Sequence, residues 1–204
     1  MTMILITVLL TIILAFIFYK PIRSYRYFIY LFFAILTLIL GGENANVLNM
    51  GYVPFGVFLV VMIPGVMDKG TLKKRLLSVR AELAIIGTIM IMSHSLSYLE
   101  YYLDDIGLLN GDISFYLGLF AMILVIPLSL TSFPFVRKRM GYKNWKKLHQ
   151  FSYLFYLVIG LHLILIQNDR MILYIIIFGT YFTLKIVTLL SNKKKSQSKS
   201  VKLA

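Results

Sequence analysis

The stretch WKKLHQFSYLFYLVIGLHLILI, residues 145–166, decides the architecture of this chain. It opens on Trp145 and two lysines, then runs from Leu148 to Ile166 without a Lys, Arg, Asp or Glu. That is close to the ~20 apolar residues needed to cross ~30 Å of hydrocarbon, and a Trp-Lys start marks a membrane interface. The segment also carries His149 and His162. A polar group without a partner costs several kcal/mol in lipid, so imidazoles in such a segment are a functional signal. The third and last histidine, His94, lies in another apolar segment.

Composition agrees with this reading. Hydrophobic residues make up 59% of the chain and mean hydropathy is +0.83, above the roughly 45–50% apolar content of soluble domains. A soluble fold of this size has too little interior to hide that much apolar surface. The expected class is all-α: a polytopic transmembrane helical bundle. The chain contains no cysteine, which excludes cysteine-ligated iron–sulfur clusters, c-type haem attachment and disulfides.

Seven segments have spanning character, at 2–19, 25–41, 48–67, 77–101, 113–133, 145–166 and 171–190. The first resembles a signal peptide in length. It lacks a basic leading region and a small-residue cleavage site, so it reads as an uncleaved anchor with its N-terminus outside. The loops at 20–26, 68–80 and 137–147 and the tail from Lys193 hold nineteen of the 21 Lys and Arg. The opposite loops hold Glu43, Glu100, Asp104, Asp105, Asp112 and Asp169. Basic loops stay in the cytoplasm, and all seven segments alternate consistently with that rule. Topology and anionic lipid account for the +13 net charge, and no nucleic-acid partner is expected. The tail, 192–204, is Lys- and Ser-rich and reads as disordered.

Depth follows from position. His149 stands four residues after Trp145, in the cytoplasmic leaflet. His162 is thirteen residues further, about 20 Å along a regular helix, near the outer surface. His94 lies fourteen residues beyond Arg80 in a helix entering from a basic loop, so it too falls in the outer half. His94 and His162 therefore share a depth, which suits bis-histidine ligation of a haem between helices. His149 has no such partner. Thirteen residues rotate a regular helix by about 220°, so His149 and His162 leave different faces unless the helix is distorted, with Gly160 one place for it. Arg80 suits a haem propionate or simply marks the membrane edge. Hydrogen-bonded packing competes for the outer pair, and interfacial snorkelling competes for His149. Tyr98, one turn after His94, is a hydrogen-bond donor to the site or an outer-belt aromatic. Pro64 and Pro127 are expected to kink their segments.

The residues Leu128 to Ser132, then Arg137 through Gly141 and Trp145 to His149, followed by Tyr153 and His162, resemble the ferric reductase-like transmembrane domain superfamily. Arg80 followed by His94-Ser-Leu-Ser-Tyr98 is similar to the first haem-ligand helix of MsrQ, the haem-binding membrane subunit of the periplasmic methionine-sulfoxide reductase system. The likeness covers about residues 25–190. It implies a six-helix core within 21–191, with 1–20 an extra N-terminal helix. It implies haem b, one or two, with His94 and His162 as iron ligands of an outer haem and His149 of an inner one, and Arg80 beside the cofactor. Related enzymes carry two histidines on the first ligand helix, where this chain has one. They also append a flavin and nicotinamide domain, and no Gly-rich dinucleotide fingerprint occurs here.

The expected function is a membrane electron-transfer subunit, an oxidoreductase component in the cell membrane with a cytoplasmic C-terminus. Its donor would be cytosolic: FMN from a flavin reductase, or the quinol pool. Its acceptor would be an extracytoplasmic reductase. The alternatives are direct reduction of ferric iron or flavin at the outer face, and a non-redox transporter or assembly protein. The second of these lacks the intramembrane acids of a proton relay, since only Glu82 lies inside a span, and no paired broken repeat is visible.

Overall fold

A computed structural model of the chain describes residues 2–40, 51–105, 107, 111–166 and 168–201. Among the described residues the architecture is all-helical. Helix α1 is Thr2–Ile17, α2 Tyr19–Ser24 and α3 Arg26–Leu40. Helix α4, Tyr52–Met62, tightens into a 3₁₀ turn at Ile63–Gly65. Then come α5 Thr71–Asp104, α6 Ile113–Leu130, α7 Pro134–Met140, α8 Tyr142–Leu148, α9 Phe151–Ile166 and α10 Met171–Val201.

Among the described residues four helical stretches are long and apolar enough to cross a bilayer: α5, α6, Tyr142–Ile166 and Met171–Ser191. The other three segments with spanning character form shorter apolar helices, Thr2–Ile17, Arg26–Leu40 and Tyr52–Gly65. At 1.5 Å per residue, the 16 residues of α1 reach about 24 Å, short of the ~30 Å core. The ends of the 25–41 and 48–67 segments fall in 41–50, outside the described residues, as does Glu43. Among the described residues the expected seven therefore stand as four long spans and three shorter apolar helices.

Local chemistry sets the breaks. Asp112 caps α6, accepting from the backbone N–H of Ser114 at 2.9 Å and of Phe115 at 3.2 Å, the side-chain-to-N2/N3 bond that suits Asp at this position. Pro64 ends α4 in a 3₁₀ turn. Pro127 sits inside α6, and its carbonyl accepts from both the Thr131 N–H at 3.0 Å and the Thr131 hydroxyl at 2.7 Å. Gly141, at φ +79°, turns α7 into α8. Helix α10 continues through Val201, into the stretch whose composition predicts disorder.

Helix α5 is the hub. It packs against α1, α2, α3, α4 and α6, and 56% of its most apolar stretch is buried, against 17% for α10. The N-terminal helix belongs to this core. Ala15 of α1 is fully buried, and α1 crosses α4 so closely at Gly56 that a Cβ there would stand 2.8 Å from the Thr7 Cβ. Large apolar side chains such as Phe28 at 75% exposure and Leu38 at 81% point outward. Hydrocarbon on the outside explains such a surface, since a helix apolar all round belongs in lipid.

Candidate functional site

The apolar run that begins at Trp145 is broken in the structure. Helix α8 ends at Leu148, His149 is its C-cap, and α9 starts at Phe151. Tight three-residue bonds carry the chain across: Gln150 N–H to Lys147 O at 3.3 Å and Ser152 N–H to His149 O at 3.3 Å. The Ser152 hydroxyl also donates to His149 O at 2.7 Å. Of the two possibilities left by the spacing, the distorted helix is the one found, and the break lies at His149 and Gln150 while α9 runs on through Gly160. Ser152 competes for a carbonyl that would otherwise extend the ladder.

At one end of the bundle the structure brings His162 of α9 onto α6. The His162 Nδ1 lies 2.8 Å from the backbone carbonyl of Ser114. A carbonyl only accepts, so Nδ1 carries the proton and Nε2 keeps its lone pair for a ligand. The imidazole lies over Gly118, where a Cβ would stand 2.9 Å from Cε1. His94 of α5 is close enough for its charge to bear on His162. Its ring meets Tyr98, with centroids 4.8 Å apart, and faces Gly51, the residue before α4 at φ +70°, where a Cβ would stand 3.4 Å from Nδ1. Helices α5 and α9 both pack against α6.

Behind this pair stands a polar clasp. Asp112 accepts from the Tyr102 hydroxyl and, through its other oxygen, from the Ser114 hydroxyl. The Ser114 hydroxyl first, then that of Tyr102, hold the Asp112 carboxyl below the usual carboxylate range. With a folded pKa lowered, its contribution to stability is present above the unfolded carboxylate pKa and fades as pH falls through the folded value. The clasp fixes the first turn of α6, and that turn presents the carbonyl that orients His162.

His149 belongs to a separate group at the other end. Its Nε2 lies 3.1 Å from the Thr131 hydroxyl and its ring lies against Trp145, centroids 4.3 Å apart. The Trp145 indole N–H donates to Thr131 O at 3.1 Å. Arg80 and Arg137 are within electrostatic reach of the imidazole, and Arg80 lies close to the Tyr156 side chain. Arg80 and His94 are fourteen residues apart on one helix, about 21 Å, so Arg80 stands with the inner group, away from the outer pair.

Among the described residues no three His, Cys, Asp or Glu side chains converge as a metal site. Two histidines with a bare Nε2 on one of them suit iron whose remaining ligands come from a macrocycle, as in haem. The inner group does not match that pattern, because Nε2 of His149 is engaged by Thr131 and the chain's other two histidines lie at the opposite end.

Ser114, Gly118, Gly51 and Thr131 were not singled out by sequence as parts of the site. Signals existed for two of them. Asp112-Ile-Ser114 before an apolar run is a helix-start pattern, and a glycine inside an apolar helix often marks a close approach. Gly118→Val is expected to push the His162 ring off its carbonyl, because branched carbons would occupy its place. Resonance Raman or paramagnetic resonance of the purified variant checks this, and a signature identical to the parent's refutes the contact as a positioning device.

A profile of the ferric reductase like transmembrane component matches residues 46–160. The match takes in His94 and His149 and stops two residues short of His162. An uncharacterized protein of Treponema pallidum (strain Nichols) is 34% identical over 155 residues, 68% of this chain and 43% of that protein. Magnetosome protein MamZ of Paramagnetospirillum magneticum is 38% identical over 103 residues, 48% of this chain and 16% of its own. MamZ of Magnetospirillum gryphiswaldense is 43% identical over 54 residues, 26% of this chain and 8% of its own. The chain thus spans less than half the length of these relatives. No solved structure matches it. With the matched family covering more than half of its length, this membrane chain belongs to the ferric reductase-like transmembrane family.

Proposed function

We propose that the protein is a haem b electron-transfer subunit of the membrane, of the MsrQ type, relaying electrons from a cytosolic donor to an extracytoplasmic reductase. The observation that carries this reading is the outer pair: His94 lies close enough to His162 for its charge to bear on it, and His162 is turned by the Ser114 carbonyl so that Nε2 is available. Haem iron, when bound, supplies a one-electron couple. The chain's own residues do the rest. His94 and His162 would hold the iron, Gly118 leaves room for the imidazole against α6, and Asp112 with Tyr102 keeps the first turn of α6 in place. The absorption spectrum of the purified protein tests it, with a low-spin b-type spectrum expected and a featureless one overturning it.

On this reading the basic loops face the cytoplasm and the donor, FMN or quinol, arrives there. The three shorter apolar helices cross as well, giving seven crossings with the N-terminus outside. The charge asymmetry supports that orientation. Cysteines placed at Asp105 and at Tyr142, both exposed, separate the two sides. An impermeant maleimide applied to intact cells should label the first and spare the second. Reversed labelling inverts the direction of electron flow.

A further inference from the structure

A polar cavity of about 220 Å³ opens at the end of the bundle that carries the basic loops. It lies between the end of α2, the start of α3, α5 and the turn from α6 into α7. Three guanidinium groups line it, those of Arg23, Arg26 and Arg137, with one carboxylate, Glu82. Glu82 is only 4% exposed. Its Oε1 pairs with Arg26 Nη1 at 3.4 Å, and Arg26 is further fixed by donating from Nε to Arg23 O at 2.8 Å. Among the described residues no carboxylate pairs with Arg23 or Arg137, so the cavity carries a surplus of positive charge.

The hydrogen-bond inventory narrows the occupant. Ser78 and Ser132 also line the wall, but their hydroxyls already donate to helix carbonyls, Arg75 O at 2.6 Å and Leu128 O at 2.8 Å. The donors left for a ligand are guanidinium N–H groups, whose planar fork matches phosphate oxygens. The other oxygen of Glu82, Oε2, is buried and has no hydrogen-bond partner. Tyr30 bears on Glu82 electrostatically, yet its own buried hydroxyl makes no bond to it. A buried acceptor left unmade is costly, so a fitting ligand brings an O–H or N–H to Oε2 as well as anionic oxygens to Arg23 and Arg137. Chloride or sulfate meets the second demand and not the first.

We infer that this cavity binds a phosphate ester that carries its own hydrogen-bond donor, either a hydroxylated phospholipid headgroup or a soluble phosphate monoester. Phosphate lies against Arg23 and Arg137, and the ligand's hydroxyl or amine donates to Glu82. Leu77, on the rim and 45% exposed, gives an acyl chain a wall to follow in the lipid case. The cavity shares Arg137 with the group around His149, and none of its lining residues is one of the histidines.

Trp145 is the sole tryptophan, and the Arg137 guanidinium lies over its ring, 5.8 Å from the centroid. Movement of that guanidinium on binding is read in Trp145 emission. The full-length protein in detergent is titrated separately with short-chain phosphatidylglycerol, α-glycerol phosphate and short-chain phosphatidylcholine, which has the phosphodiester but no donor. A saturable change is expected with phosphatidylglycerol or glycerol phosphate, and the arm that saturates identifies the source. Phosphatidylcholine should bind at least tenfold more weakly. Arg23→Gln, outside the Arg137–Trp145 stack and on an exposed residue, should weaken the saturating arm at least tenfold. No saturation in either arm, equal binding of phosphatidylcholine, or an Arg23→Gln protein that titrates like the parent each overturns the assignment.

Discussion

Alanine at His94 or at His162 is expected to abolish the low-spin b-type spectrum of the purified protein. Low-spin iron needs two strong axial ligands, and the chain has only these two histidines at that end of the bundle. The effect should be all-or-none in the spectrum, with either haem lost or the remainder high-spin. His162 is turned by the Ser114 carbonyl, and His94 meets the Tyr98 ring. Imidazole added to either variant should restore a low-spin signal by filling the vacated ligand position. Parent-like spectra in both variants sink the ligand assignment. Misfolding is distinguished by a monodisperse elution profile and retained helical circular dichroism.

The second large effect is expected at His149. Its alanine variant should keep the outer spectrum yet be reduced by a cytosolic donor at least tenfold more slowly, a barrier change of about 1.4 kcal/mol. The imidazole stands between Thr131 and Trp145, beside Arg80 and Arg137 and near the lysines of α8. Such a cationic face attracts an anionic donor. Dithionite, small enough to reach the outer group directly, should reduce parent and variant alike. Stopped-flow traces with reduced flavin mononucleotide decide the matter. Parent-like rates would leave His149 as an interfacial packing residue and reduce the relay to the outer pair.

Much of this was legible in the chain before folding. The long apolar segments, the sorting of Lys and Arg to alternate loops and the interfacial Trp145 are properties of composition and spacing, and these point to a membrane bundle. The common depth of His94 and His162 was equally readable, because depth in a helix is residue number times rise. Less secure was anything that depends on rotation about the axis. Residues 145–166 read as one continuous helix, and their apolar pattern gives no hint that the ladder stops at His149. Ser152 and the short bonds around Gln150 end it, and such competition between side chain and backbone is decided by local geometry.

Length thresholds were also only partly visible. Hydropathy alone counts seven segments, whereas among the described residues four helical stretches are long enough to span and three apolar helices are shorter, two of these meeting the undescribed residues 41–50. Hydropathy is additive along the chain, but helix ends are set by capping and by proline.

The sequence by itself determined the medium, the expected sidedness and the depth of each histidine, because all three follow from one-dimensional sums of hydropathy, charge and rise. Tertiary structure alone decided the partners: Ser114 beneath His162, Gly118 under its ring, Thr131 on His149, and Glu82 drawn with Arg23, Arg26 and Arg137 into one cavity. These contacts join residues from different helices, some far apart along the chain. They depend on how each helix is rotated and which neighbour it packs against, and those two variables are fixed only when all the helices compete for the same interior.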